Sequence, residues 1–361
     1  MALPATIVLD ARLLTRQSTG DSTYWVGLLH GLREAQPRAR FVLASDQPAP
    51  PGFVETDSIS WRREPAPNSR WWSLITLPRL ARALKADLVH VQYSASPLLR
   101  TPFVTTIHDV SFFVGPQWFK PKDRLLLRSS VPKAAKRAKV VLTVSEASKW
   151  DIVKHLSVPE DNVVATYLAP HPDLLAPLAD QVASRLGSLG VARPYALSVS
   201  TRWPRKNMDL AVRAMERLAA TTPHRLVLTG KAGWGGAAQG RRTQAVGYVD
   251  MDDLAALYGG ADLYLCPSLY EGFGLPVVEA FAMGCPVVVG PGGSLPEVAG
   301  DAGLVLPDYE VETWRAAIES LVADPDRRAA MAEAGRQRAN EFSWTKMAQG
   351  VWTAYERAMS G

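Results

Sequence analysis

Cysteine is scarce in this chain. Cys266 and Cys285 are the only two among 361 residues, both in apolar, strand-like contexts and far from any CxxC spacing. They read as reduced, buried small hydrophobes, and the compartment they suggest is cytosolic. Long hydrophobic runs are missing as well. No apolar stretch approaches the ~20 residues that a membrane span needs. The opening Met1-Ala2-Leu3-Pro4 leads into a strand ending at Asp10 without a basic start, so no signal peptide is expected.

What is present is an ordinary globular composition, 47% apolar and 21% charged. A chain of 361 residues exceeds what one core usually organises, so two domains are expected. The net charge of +5 is unevenly placed: residues 1–172 hold 22 Lys/Arg against 14 Asp/Glu, and the remainder holds 18 against 21. Within Lys120–Lys139, eight basic residues face Asp123 alone. Such a patch suits an anionic membrane surface, a phosphorylated acceptor or nucleic acid, or is simply a solvated helix face. No aromatics interleave with these charges as in a single-strand binder, so nucleic acid is not an expected partner.

Short apolar runs alternate with amphipathic segments along the first half. Strands are expected at Thr6–Leu9, Phe41–Ala44, Leu88–Val91, Phe103–Ile107, Val140–Val144 and Val163–Tyr167. Helices are expected at Tyr24–Leu32, Leu74–Leu84, Leu125–Ala138 and, behind an N-cap at Ser145, Ala147–His155. The stretch from Ala169 to Arg193 is proline-rich with no strong strand signal, and the domain boundary is expected there. The alternation then restarts at Tyr195–Val199. This pattern argues for parallel sheets covered on both faces, with ligands at the carboxyl ends of strands.

The most informative segment runs Glu271-Gly272-Phe273-Gly274-Leu275-Pro276-Val277-Val278-Glu279, between the apolar run Leu263–Cys266 and a helical pattern. It reads as strand, glycine loop and helix start. A helix N-terminus attracts anions. Carboxylates beside it suit a polyhydroxylated partner instead, a sugar ring for one and a ribose for the other. Singly, each glutamate has a plainer reading, Glu271 as a solvated loop residue and Glu279 as a first-turn acid favoured by the dipole. Together, around Gly-Phe-Gly-Leu-Pro, they read as functional. Pro204-Arg205-Lys206-Asn207 follows another expected strand and opens a helix. Cations at a helix start are electrostatically wrong without an anion, and an Arg fork with a Lys point charge suits a diphosphate.

These residues resemble the Glu-x7-Glu signature of retaining glycosyltransferases of family 4, and the resemblance runs from about Ile7 to Trp352. It implies the GT-B fold: α/β, two doubly wound Rossmann-like domains facing across a cleft. The domains are expected at 1–172, completed by a C-terminal helix 345–361, and at 194–344, with 173–193 as linker. The terminal aromatics Trp344, Trp352 and Tyr355 are read as packing. The resemblance assigns diphosphate binding to Lys206, with Arg205 as second cation and Arg202 nearer the solvent. It assigns donor-sugar hydroxyls to Glu271 and ribose hydroxyls to Glu279. Backbone of Gly272, Phe273, Gly274 and Leu275 would surround the donor. His108 of Ile107-His108-Asp109 would touch the donor sugar, and Asp109 would orient its loop. Lys231 of Thr229-Gly230-Lys231 is a further donor-side candidate, and Tyr248 is either nucleobase lining or a half-buried core aromatic. In Ser18-Thr19-Gly20-Asp21-Ser22-Thr23-Tyr24, only Gly20 and Tyr24 match the family's glycine-rich loop.

The reaction implied is hexosyl transfer from a nucleotide-diphospho-sugar, a co-substrate rather than a cofactor, to a hydroxyl of a saccharide, lipid-linked or small-molecule acceptor. Retention is expected, by same-face attack and without metal; no DxD-like pair sits at a strand end. GDP-mannose is the favoured donor on the Pro-Arg-Lys-Asn and Gly-Lys-Ala-Gly-Trp (230–234) variants, with UDP- and dTDP-sugars close behind. The rival readings are a GT-B phosphorylase, a nucleotide-sugar epimerase and a non-catalytic nucleotide-sugar-binding scaffold. The expected location is cytoplasmic, with peripheral contact at the inner face of a membrane through Leu125–Leu127 beside the basic patch.

Overall fold

The computed structural model describes residues 4–15, 20–218, 221–231, 233 and 240–360. They form two compact units. One ends at Leu168 and resumes at Ser343; the other runs Ala169–Phe342.

The first unit is built on seven parallel strands: β1 (Ala5–Asp10), β2 (Ala39–Ser45), β3 (Ile59–Arg63), β4 (Leu88–Gln92), β5 (Phe103–Thr106), β6 (Val140–Thr143) and β7 (Val163–Ala165). Their order is β3-β2-β1-β4-β5-β6-β7. Apolar runs such as Val140–Thr143 are buried at every position, as strands covered on both faces must be. Chain order reverses between β1 and β4, so a crevice is expected beyond their carboxyl ends. Helix Trp344–Ser360 packs on helix Gly20–Ala35 so closely that a Cβ on Gly27 would lie 2.2 Å from the Trp344 ring. Tyr355 hydrogen-bonds His90 Nδ1 at 2.6 Å, and Trp352 meets Phe41 edge-on at 6.4 Å. The terminal aromatics are therefore packing.

The second unit carries six parallel strands: β8 (Tyr195–Val199), β9 (Arg225–Thr229), β10 (Thr243–Gly247), β11 (Leu263–Cys266), β12 (Val287–Val289) and β13 (Leu304–Val305). Their order is β10-β9-β8-β11-β12-β13, so the reversal falls between β8 and β11. One core cluster joins Leu210, Met215, Leu226, Leu265, Val288, Trp314 and Ile318 on one face of this sheet.

Three features depart from the sequence reading. β3 was not expected, because Trp61, Arg62 and Arg63 of this edge strand remain partly exposed and show no apolar run. The helix expected from Leu74 starts at Ser69, where Asn68 caps it, and passes through a π turn at Trp72–Thr76. The stretch 173–193 holds a helix, Ala179–Ser188, whose Arg185 pairs with Asp252 and Asp253 of helix Met251–Gly260. Its flanking prolines and sparse apolar residues hid it. Both cysteines are free and buried. No described helix is long and apolar enough to cross a membrane.

Candidate active site

The site in the second unit straddles the strand-order reversal. Lys206 and Arg205 sit on a short 3-10 turn, Pro204–Lys206, after β8. Asn207, in the left-handed region at φ 50°, turns the chain from there into helix Met208–Arg217. Glu271 follows β11, on the other side of the reversal. Leu269 N–H donates to Arg205 O at 2.7 Å, and Arg205 Nη1 donates to Tyr270 O at 2.9 Å, so backbone bonds tie the two loops together. A third loop, after β12, closes on them. Glu271 bridges to Gly293, and Ser294 donates to Glu271 O through both N–H (3.0 Å) and Oγ (3.1 Å). Gly293 has φ 65°, and a Cβ there would lie 2.2 Å from Glu271 O, so only glycine permits this approach.

Glu271 is 7% exposed, and its carboxylate accepts three side-chain hydrogen bonds. Lys206 Nζ lies 2.5 Å from Oε1, Ser268 Oγ 2.6 Å from Oε1, and Arg205 Nη1 3.1 Å from Oε2. Burial alone would raise this carboxyl's pKa. The Lys206 and Arg205 charges, with the hydrogen bonds, outweigh it and bring the pKa down to about 2. Ser268 was missed in the sequence, where nothing marks one serine from another. Its carbonyl accepts from Tyr309 Oη at 2.9 Å.

Glu279 lies within helix Leu275–Ala282, beyond the first turn, and is 6% exposed, so the plain dipole reading does not hold for it. Burial raises its pKa to about 7, and a hydrogen bond from Tyr258 Oη at 3.1 Å offsets this only in part. Helix Leu275–Ala282 has no side-chain cap; Gly274, at φ 91°, leads into it. Gly272 and Gly274 are buried and Leu275 is half-buried. Phe273 packs edge-on against Phe342 at 5.6 Å, so its side chain belongs to the core.

Arg202 lies with Ser200, Thr229, Gly230, Ala245 and Gly247 around a narrow crevice at the carboxyl ends of β8, β9 and β10. Lys231 Nζ stands 5.1 Å from the centroid of the Tyr248 ring, which is 51% exposed. Tyr248 is therefore not a core aromatic. Ala232 and Trp234 of the 230–234 segment lie outside the described residues.

His108 and Gly20 belong to the first unit. Gly20 opens helix Gly20–Ala35; Ser18 and Thr19 before it lie outside the described residues. His108 follows β5 and is 8% exposed, with its ring edge-on to Tyr24 at 5.0 Å. Burial lowers its pKa against the opposing pull of Asp21 and Asp109, so it is neutral at physiological pH. Its Nε2 lies 3.6 Å from Asp21 Oδ1, a partner the sequence reading did not single out. Asp109 accepts from Ser111 N–H at 2.8 Å and Ser111 Oγ at 2.5 Å, which holds the loop. Among the described residues, no three His, Cys, Asp or Glu side chains converge as a metal-holding group.

Two family models match the chain, that for glycosyltransferase family 4 over residues 19–169 and that for glycosyl transferases group 1 over residues 188–338. The O-antigen chain mannosyltransferase B of Escherichia coli is 36% identical over 266 residues, 70% of each chain. The MMP alpha-(1->4)-mannosyltransferase of Mycolicibacterium hassiacum is 29% identical over 282 residues, 72% of this chain and 66% of that protein. Among solved structures, sucrose-phosphate synthase from Thermosynechococcus elongatus matches with a TM-score of 0.75 at 21% identity, over 99% of each chain. Anabaena HepE in complex with UDP-glucose matches with a TM-score of 0.73 at 18% identity, over 98% of this chain and 99% of that one. Both share the two-domain α/β architecture.

Proposed function

The chain belongs to the family 4, group 1 glycosyltransferases, and from that premise we propose that it transfers a mannosyl unit from GDP-mannose, with retention, to a saccharide or lipid-linked hydroxyl. The observation that carries this reading is the buried Glu271 held by Lys206, Arg205 and Ser268 at the strand-order reversal. Two cations and an uncapped helix start converge where a diphosphate is expected.

In this reading the donor diphosphate draws on Lys206, Arg205 and the Leu275 N–H that opens helix Leu275–Ala282, since Pro276 has no N–H and that of Val277 donates to Gly274 O. Glu271 accepts from donor-sugar hydroxyls and Glu279 from the ribose. The bond from the anomeric carbon to the β-phosphate oxygen breaks, and negative charge grows on the leaving phosphate. Lys206 and Arg205 stabilise that charge more than the ground state. The acceptor oxygen bonds the same face of the anomeric carbon and passes its proton to the leaving phosphate. The enzyme's task is then positioning and charge stabilisation, with no protein nucleophile and no metal ligand. Arg202, Lys231 and Tyr248 serve the nucleotide side.

The two sequence relatives, both mannosyltransferases, support a mannosyl donor. UDP- and dTDP-sugars are the next donors to try, since Anabaena HepE binds UDP-glucose. The proposed place of work is the cytoplasm, at an anionic membrane face. Helix Pro121–Arg137 exposes Leu125 (72%) and Leu126 (55%) among its basic residues, as a peripheral contact would require.

The test follows the anomeric proton of the released or transferred sugar by NMR, with GDP-mannose first and the UDP- and dTDP-sugars next. An α-configured first product from an α-linked donor supports the reading. A β-configured first product overturns retention, and no turnover with any donor overturns the activity.

A further inference from the structure

Tyr258 has no place in the chemistry described above. It lies on helix Met251–Gly260, is 1% exposed, and comes from a part of the chain that carries no recognised motif. Its hydroxyl lies 3.1 Å from Glu279 Oε2. Among the described residues it is the one side chain that hydrogen-bonds this carboxylate, and no cation pairs with Glu279. The contrast with Glu271, which has two cations and a serine, is complete.

The direction of this bond is set. Burial, with Glu279 and Tyr264 beside it, raises the Tyr258 pKa far above its ordinary value, so the phenol keeps its proton and must donate. A carboxylate has about four lone-pair sites on its two oxygens. A donor fixed on Oε2 uses one of them and leaves Oε1 and the second site of Oε2 for a ligand. Vicinal hydroxyls, which present two donors side by side, match that remainder. We propose that Tyr258 is a positioning residue of the donor site: its hydroxyl holds the Glu279 carboxylate in the rotamer and the charge state that the ribose 2′- and 3′-hydroxyls require. This rests on the reading of Glu279 as the ribose acceptor.

The charge state matters because nothing else supports it. The titratable side chains beside Glu279 are the phenol of Tyr258, which hydrogen-bonds it, and that of Tyr264 on β11, whose own pKa Glu279 helps to raise. Tyr264 also keeps its proton, and its ring stands edge-on to Tyr258 at 5.7 Å. Burial therefore favours the protonated carboxyl, and the Tyr258 hydrogen bond is the one contact that opposes it. A protonated Glu279 spends one oxygen on its own proton and accepts fewer hydroxyls.

The test measures dissociation constants by calorimetry for GDP and for 2′,3′-dideoxy-GDP, with wild type and Tyr258→Phe, and with UDP in place of GDP if UDP is what wild type binds. Losing a hydrogen bond to a charged group predicts about tenfold weaker GDP binding by Tyr258→Phe. The dideoxy nucleotide, which has no ribose hydroxyls, should bind both proteins alike. A buried tyrosine that merely supports the fold would weaken both nucleotides equally, and that result overturns the proposal, as does no change for either. If Tyr258→Phe does not fold, Glu279→Gln provides the second route. In that protein the GDP advantage over the dideoxy nucleotide should shrink about tenfold, and an unchanged advantage removes Glu279, and with it Tyr258, from ribose binding. Wild type that binds no nucleoside diphosphate overturns the donor-site reading itself; wild type that binds while Tyr258→Phe behaves identically overturns the inference alone.

Discussion

Glu271 and Glu279 are held by opposite means, one by charge and one by a phenol, and their proton affinities part accordingly. Glu271, lowered to about 2, contributes stability that is present above the ordinary carboxyl pKa and is lost as pH falls toward 2. Glu279, raised to about 7, contributes stability that is present below the ordinary pKa and is lost as pH rises through 7. Glu279→Gln keeps a partner for Tyr258 without a buried charge. Thermal unfolding should therefore find it close to wild type at pH 5 and more stable at pH 8, by on the order of 2 kcal/mol. Wild-type-like stability at both pH values would remove the raised pKa. Lys206→Ala leaves Glu271 paired with Arg205 but takes a cation from the leaving phosphate. Steady-state kinetics should show turnover lowered about 100-fold or more, with the folded state retained. An unchanged rate would contradict its assignment. Lys206, Arg205 and Glu271 were legible in the sequence because their types and spacing follow expected strands. Ser268, Asp21 and Tyr258 were not, because each gains its meaning from a partner that only the tertiary fold supplies.

At the scale of elements, three loops after β8, β11 and β12 are bound into one frame by backbone contacts. The tightest is Gly293 against Glu271. Gly293→Ala must move that loop, because its Cβ would sit 2.2 Å from Glu271 O at a φ of 65°. The expected result is a loss of kcat/KM of at least tenfold with the unit still folded, read by kinetics and circular dichroism side by side. Full activity in that variant would mean the frame is not needed. The strands and helices that carry this frame were legible from apolar runs and glycine punctuation. Tyr195–Val199 and Leu263–Cys266 were expected over the same residues that the structure assigns. The elements that escaped are those whose apolar content is low. β3 is an edge strand with Arg62 and Arg63 exposed, and helix Ala179–Ser188 buries only Leu186. Periodicity reports burial, and these elements bury little.

At the scale of the whole chain, charge and exposed leucines fall in the same half. Residues 1–172 carry 22 Lys/Arg against 14 Asp/Glu, and helix Pro121–Arg137 presents Leu125 and Leu126 to solvent. Co-sedimentation with vesicles containing phosphatidylglycerol should show binding that weakens with salt and falls in a Leu125→Ser, Leu126→Ser double variant. Binding that ignores both salt and the double variant would remove this face from the account. Every role proposed for the second unit depends on the diphosphate site. It is tested most directly by calorimetric titration of wild type and Lys206→Ala with GDP, UDP and dTDP. Wild type should bind one of them, GDP first, and Lys206→Ala should bind it at least tenfold more weakly. Folded wild type that binds none of the three, or a variant that binds as tightly as wild type, would contradict it.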